Sequence, residues 1–96
     1  MTNQYFEWLA RRIVYVYAKN HLDVTDVFDF NFDHDVYIVW SCKTLQNNKA
    51  MVSTNLHDGM YYEVTYNGDK QEIYLDAYKK FENVPKSLAE WEELVD

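Results

Sequence analysis

Val24-Thr25-Asp26-Val27-Phe28-Asp29-Phe30-Asn31-Phe32, followed after three residues by Val36-Tyr37-Ile38-Val39-Trp40-Ser41-Cys42-Lys43-Thr44, is the stretch that decides how the chain folds. Phe28, Phe30 and Phe32 share one side of an extended segment, while Val27, Asp29, Asn31 and Asp33 share the other. The segment from Val36 is apolar on both faces at its start, as a central strand is. Alternation with a period of two therefore begins at Val24 and predicts a sheet from there onward.

Toward the C-terminus, Ala50 to Leu56 and Met60 to Tyr66 continue the alternation, separated by turns at Gln46-Asn47-Asn48 and His57-Asp58-Gly59. Asn67-Gly68 is a hairpin signal, and Glu72 to Phe81 reads as the last strand. Three-residue loops at 33–35, 46–48 and 57–59 set apolar residues opposite each other. Phe30 then faces Ile38, Cys42 faces Val52, Leu56 faces Met60 and Val52 faces Val64. In the final hairpin a two-residue turn would place Glu63 opposite Glu72, whereas a four-residue loop pairs Val64 with Ile73. The expected inner face is Phe28, Phe30, Phe32, Ile38, Trp40, Cys42, Val52, Leu56, Tyr62, Val64, Ile73 and Leu75.

Toward the N-terminus the period is helical. Phe6, Leu9, Ala10, Ile13, Val16 and Tyr17 fall on one face of a helix over residues 3–20, with Thr2 or Asn3 as cap. At the other end, Val84-Pro85-Lys86 breaks the last strand and Ser87-Leu88-Ala89-Glu90 forms a capping box. A C-terminal helix of about eight residues with the stripe Leu88, Trp91 and Val95 follows, too short to stand without docking. The predicted fold is α+β in a single domain over 1–96: an N-terminal helix packed on a curved antiparallel β-meander of four to five strands, with a short C-terminal helix.

The formal net charge is −7, and between Asn20 and Cys42 five aspartates (Asp23, Asp26, Asp29, Asp33, Asp35) meet no lysine or arginine. Direct nucleic-acid binding is disfavoured, because it requires clustered cations that displace counterions. No run of 18 apolar residues is present, so no membrane span is expected. The N-terminus lacks a signal-peptide pattern and the single cysteine excludes an internal disulfide, so a cytoplasmic location is expected.

No catalytic constellation emerges, and no catalytic, cofactor-binding or metal-ligating residue is assigned. Cys42 reads as a buried structural cysteine facing Val52, remote from His57. Asp29, Asn31, Asp33 and Asp35 imitate the opening of a calcium loop, but His34 stands where the turn needs glycine and Trp40 where the bidentate glutamate belongs. His21, His34 and His57 fall at element ends, without the spacing of a zinc site. Two aromatic sets remain outside the core. Trp8 and Tyr15 recur with Leu22 every seven residues along the helix, and Tyr37, Tyr61, Tyr74 and Tyr78 lie on the outer sheet face. Aromatic-rich exposed patches mark partner surfaces, a second copy of the chain among the candidates, unless the C-terminal helix covers one of them.

Two segments carry a resemblance. Val39-Trp40-Ser41-Cys42-Lys43-Thr44-Leu45-Gln46-Asn47-Asn48-Lys49-Ala50 and Asp58-Gly59-Met60-Tyr61-Tyr62-Glu63-Val64-Thr65-Tyr66-Asn67-Gly68-Asp69-Lys70 resemble the central motifs of a small uncharacterised family found in phages and prophages of Gram-positive bacteria. The similarity runs from about Val36 to Val84, and that family is a domain of unknown function. It implies a phage origin and action in the host cytoplasm, and transfers no catalytic residue. The expectation is a non-enzymatic phage accessory protein that binds another protein, such as a host or defence factor. The alternative is a protein that holds a small nucleotide-like ligand near Trp40, Tyr62 and Tyr66.

Overall fold

The structure, a computed structural model, describes residues 1–21 and 29–96. Helix α1 spans Asn3–Asn20, α2 is a single turn at Phe32–Asp35, and strands β1 (Val36–Thr44), β2 (Asn47–Thr54), β3 (Met60–Asn67) and β4 (Glu72–Lys79) precede α3 (Leu88–Val95). The strands form one open antiparallel sheet in the order β1-β2-β3-β4, so β1 and β4 are its edges. This is the α+β arrangement the periodicities predict.

Helix α1 begins where Thr2 accepts a hydrogen bond from the Tyr5 amide at 3.1 Å. Its buried residues are Phe6, Ala10, Val14 and Ala18, one ridge at a spacing of four. The expected stripe is thus rotated: Leu9, Ile13 and Tyr17 are only half-buried, and Val16 is 50% exposed. The cause is steric, since Ala10 and Ala18 let the helix backbone approach the sheet closely. Against this ridge pack Val36, Ala50, Val52, Tyr62 and Val64, which complete the core.

The segment before β1 departs from expectation. Val24 to Phe28 lie outside the described residues, but Asp29 to Asn31 are not strand and Phe32 begins α2. The Asn31 side chain accepts from the amides of Asp33 at 2.8 Å and His34 at 3.3 Å, while the Asp35 carboxylate accepts from the Asn31 amide at 2.7 Å. This reciprocal cap satisfies the donors of a helical turn, and a residue pattern of alternating aromatics does not outweigh it. Phe30 and Phe32 leave the expected sheet face and pack on Tyr15 of α1, with ring centroids at 5.2 and 5.7 Å. Arg11 fastens the turn down by donating to the carbonyls of Val36 and Phe32, both at 2.9 Å, with its guanidinium 4.3 Å from the Phe32 ring.

The β1–β2 register is the largest correction. Ile38 pairs with Val52, but Trp40 pairs with Met51 and Ser41 with Ala50, because a bulge occupies Val39. One extra residue in one strand reverses the parity beyond it. Trp40 and Cys42 therefore point to the outer face, and Ser41 points inward, donating to Glu7 of α1 at 2.7 Å. The turn is two residues long, Leu45-Gln46, rather than Gln46-Asn47-Asn48, with Leu45 at a φ of 57°. A left-handed leucine is sterically costly, and at 88% exposure it meets no further packing penalty.

In the other two hairpins the shift is even, so every side chain keeps its predicted face. Val52 pairs with Tyr62 rather than Val64, and Val64 pairs with Leu75 across a four-residue loop at 68–71. Gly68 in that loop is required by space: an added Cβ would sit 2.2 Å from the Gln46 carbonyl oxygen.

Tyr62 is 1% exposed in the centre of this core. Burial, then the Asp58 carboxylate and Tyr17, push its hydroxyl from 10.0 up to about 12. In the unfolded chain the group ionises near 10.0, so above that pH the native state holds the proton the unfolded state has lost. The stability this supplies is complete below pH 10.0 and lost as pH rises toward about 12. Urea midpoints measured across that window should fall less steeply in Tyr62→Phe than in the parent protein.

Candidate interaction surface

The sheet face turned away from α1 is built from three cross-strand rows. Tyr37, Ser53, Tyr61 and Tyr78 form the first; Trp40, Met51, Glu63 and Asp76 the second; Cys42, Lys49, Thr65 and Tyr74 the third. Tyr61 and Tyr78 stack at 5.2 Å with an interplanar angle of 17°. Tyr37, Trp40, Tyr74 and Tyr78 are each exposed by more than two-fifths. Four of the six residues expected at an interaction surface, Tyr37, Tyr61, Tyr74 and Tyr78, thus share one face, and Trp40 joins them through the Val39 bulge.

Charge on this face comes from Lys49, Glu63, Glu72 and Asp76. Lys49 donates to Glu63 at 2.9 Å, which raises the ammonium's affinity for its proton. The Tyr74 hydroxyl donates to Glu72, and that bond holds its proton more tightly than usual. Tyr78 is shifted the same way, chiefly by the negative charge of Asp76. Tyr74 and Tyr78 therefore stay neutral donors at physiological pH, offering hydroxyls and ring surface rather than phenolates.

The helix set divides. Trp8 is 47% exposed and stacks on Tyr5 at 5.8 Å. Tyr15 does not extend that patch, because Phe30 and Phe32 cover it and Arg12 and Lys19 lie 5.2 and 5.5 Å from its ring. Leu22 lies outside the described residues.

The other singled-out positions are placed as follows. Cys42 is exposed rather than buried, by the parity change described above. Iodoacetamide should therefore alkylate the folded protein at Cys42 without denaturant, at a rate close to that of the unfolded chain; strong protection would contradict the bulge. Asn31 and Asp35 spend their side-chain oxygens on the α2 cap, and Asp35 also accepts from Asn55 at 3.1 Å. These bonds, with Asn31 first, hold the Asp35 carboxyl below its usual range. Among the described residues no cluster of three or more His, Cys, Asp or Glu has a geometry able to hold a metal ion. Trp40 and Tyr62 lie on opposite faces of the sheet, paired with Met51 and Val52 respectively, so no pocket unites Trp40 with Tyr62 and Tyr66.

The C-terminal helix covers neither aromatic set. None of residues 80–96 is buried, and Leu88, Leu94 and Val95 are each more than three-fifths exposed. Its capping box is formed as predicted: Ser87 Oγ accepts from the Glu90 amide at 3.2 Å and the Glu90 carboxylate accepts from the Ser87 backbone amide at 3.4 Å. No helix among the described residues is long and apolar enough to cross a membrane.

These features define a small α+β domain with one sheet face that none of the described helices covers. The chain belongs to the family of unknown function DUF6275, which matches residues 7–88. The match reaches back across α1, well beyond the Val36–Val84 span of the resemblance, and ends as α3 begins. No curated protein and no solved structure matches the chain.

Proposed function

We propose that the protein is non-enzymatic and acts by binding another protein through its outer sheet face. The observation that carries this reading is the outer-face set of exposed Tyr37, Trp40, Tyr74 and Tyr78, with half-buried Tyr61 stacked on Tyr78. Soluble domains seldom leave such a contiguous aromatic surface uncovered, and tyrosine and tryptophan are the residues that dominate binding hot spots. The core lies on the opposite side of the sheet, against α1, and does not call for these side chains.

The resemblance to phage and prophage proteins supports a narrower form: a phage accessory protein that engages, and inhibits, a host or defence factor in the host cytoplasm. The net charge of −7 favours a basic partner surface and speeds encounter with one.

The test is capture from a bacterial lysate by the immobilised protein, compared with the Tyr61→Ala/Tyr78→Ala double variant. Both positions are at the surface and the pair adds about 0.5–1.5 kcal/mol beyond area burial, so the variant should stay folded. Loss of a specific retained protein in the variant supports the reading. Unchanged retention, or none by either form, removes it.

A further inference from the structure

Two apolar surfaces that none of the described residues covers match each other. The first is a groove of about 480 Å³ between α1 and the edge of the inner sheet face, walled by Ile13, Val16, Tyr17 and Leu75. It exists because α1 lies over β1 and β2, leaving the inner side of β4 without a helix. Arg12 and His21 stand at its rim, and neither has a carboxylate partner among the described residues. The second surface is the stripe Leu88, Trp91, Leu94 and Val95 on α3, backed by Glu90, Glu92, Glu93 and Asp96. An eight-residue helix is not stable in water by its capping box alone, so α3 requires a surface to dock on.

We infer that α3 of one chain docks in the α1–β4 groove of a second copy, and reciprocally, giving a two-fold dimer with exchanged C-terminal arms. Apolar stripe meets apolar groove, and Glu90 and Glu92, which flank the stripe on the helix, come beside Arg12 at the rim. The geometry of the arm selects a second copy over the chain's own groove. Leu75 lies four residues back along β4 from Lys79, about 13 Å at strand spacing. The eight residues 80–87 that lead to α3 span up to about 26 Å when extended. Docking at home would need this arm to double back. It contains no glycine, and Pro85 holds Val84 in the extended region. An arm that overshoots its own site while fitting a neighbour's is the ordinary route to exchange between protomers. Exchange leaves the tyrosine face free and presents it twice, so the inference stands or falls independently of the binding partner.

Light scattering on the full chain should give twice the monomer mass of 11.6 kDa. Trp91→Asp and Val16→Asp should each convert it to the monomer at the same concentration. Trp91 is 41% and Val16 50% exposed within one chain, so circular dichroism should show the β-sheet fold intact in both. Placement is tested by mixing two singly substituted chains, Val16→Cys and Leu94→Cys, each also carrying Cys42→Ser, under mild oxidation. A disulfide-linked heterodimer is the expected product. A monomeric parent protein, a dimer untouched by both aspartates, or no mixed disulfide between the two chains would overturn the inference.

Discussion

Phe6→Ala is expected to destabilise the protein by about 3–5 kcal/mol, read as a lowered urea midpoint with an unchanged slope. Phe6 is fully buried and is the only aromatic in the buried ridge of α1. Its neighbour on that ridge, Ala10, is too small to close a cavity left by a lost ring. Marginal domains hold about 5–15 kcal/mol in all, and a chain of 96 residues sits at the lower end of the size range. The variant should therefore be substantially unfolded at physiological temperature. Phe6→Leu, which keeps most of the volume, should recover most of the loss; equal damage from both would mean that the helix is held by something other than packing.

Arg11→Met comes next, at about 2–3 kcal/mol. Hydrogen bonds from charged donors each contribute about 1.5–3 kcal/mol. Arg11 makes two, to Val36 and Phe32, while its guanidinium lies over the Phe32 ring. Methionine keeps the apolar stem but leaves both carbonyls without that donor. The effect should be local: amide exchange should accelerate at Asp33 to Asp35 while Val52 and Val64 stay protected. Uniform acceleration would show that α2 is part of the global unit rather than a clip on α1.

How far the sequence could be read depends on which physical rule governs each element. Helix α1 was legible to the residue because its period and Thr2 cap agree, and α3 because Ser87 and Glu90 cap each other. The face of α1 was less so, since hydropathy counts Leu9 and Val16 above Ala10 and Ala18, whereas close approach to the sheet favours the small residues. Shifts of two in the later hairpins were harmless to the face assignment, because strand parity survives them. The Val39 bulge was not legible: Val39 and Trp40 are both apolar, so either parity satisfies the pattern. That single residue misplaced Trp40 and Cys42 and dissolved the pocket drawn around Trp40, Tyr62 and Tyr66. Leu45 gave no turn signal, as its positive φ goes against its type. The outer tyrosines were legible from alternation alone, and sequence spacing could not tell that Tyr15 would be covered by Phe30 and Phe32.

The open ladder leaves two rims whose amides and carbonyls could template further strands, the first step toward fibrillar growth. Strand β4 guards its rim with gatekeeper charges at Glu72, Asp76 and Lys79. Strand β1 carries only Lys43 and relies on the kink at Val39 to keep a flat hydrophobic border from presenting itself to an incoming chain. The irregularity that re-aims Trp40 is also what keeps that margin from seeding a filament.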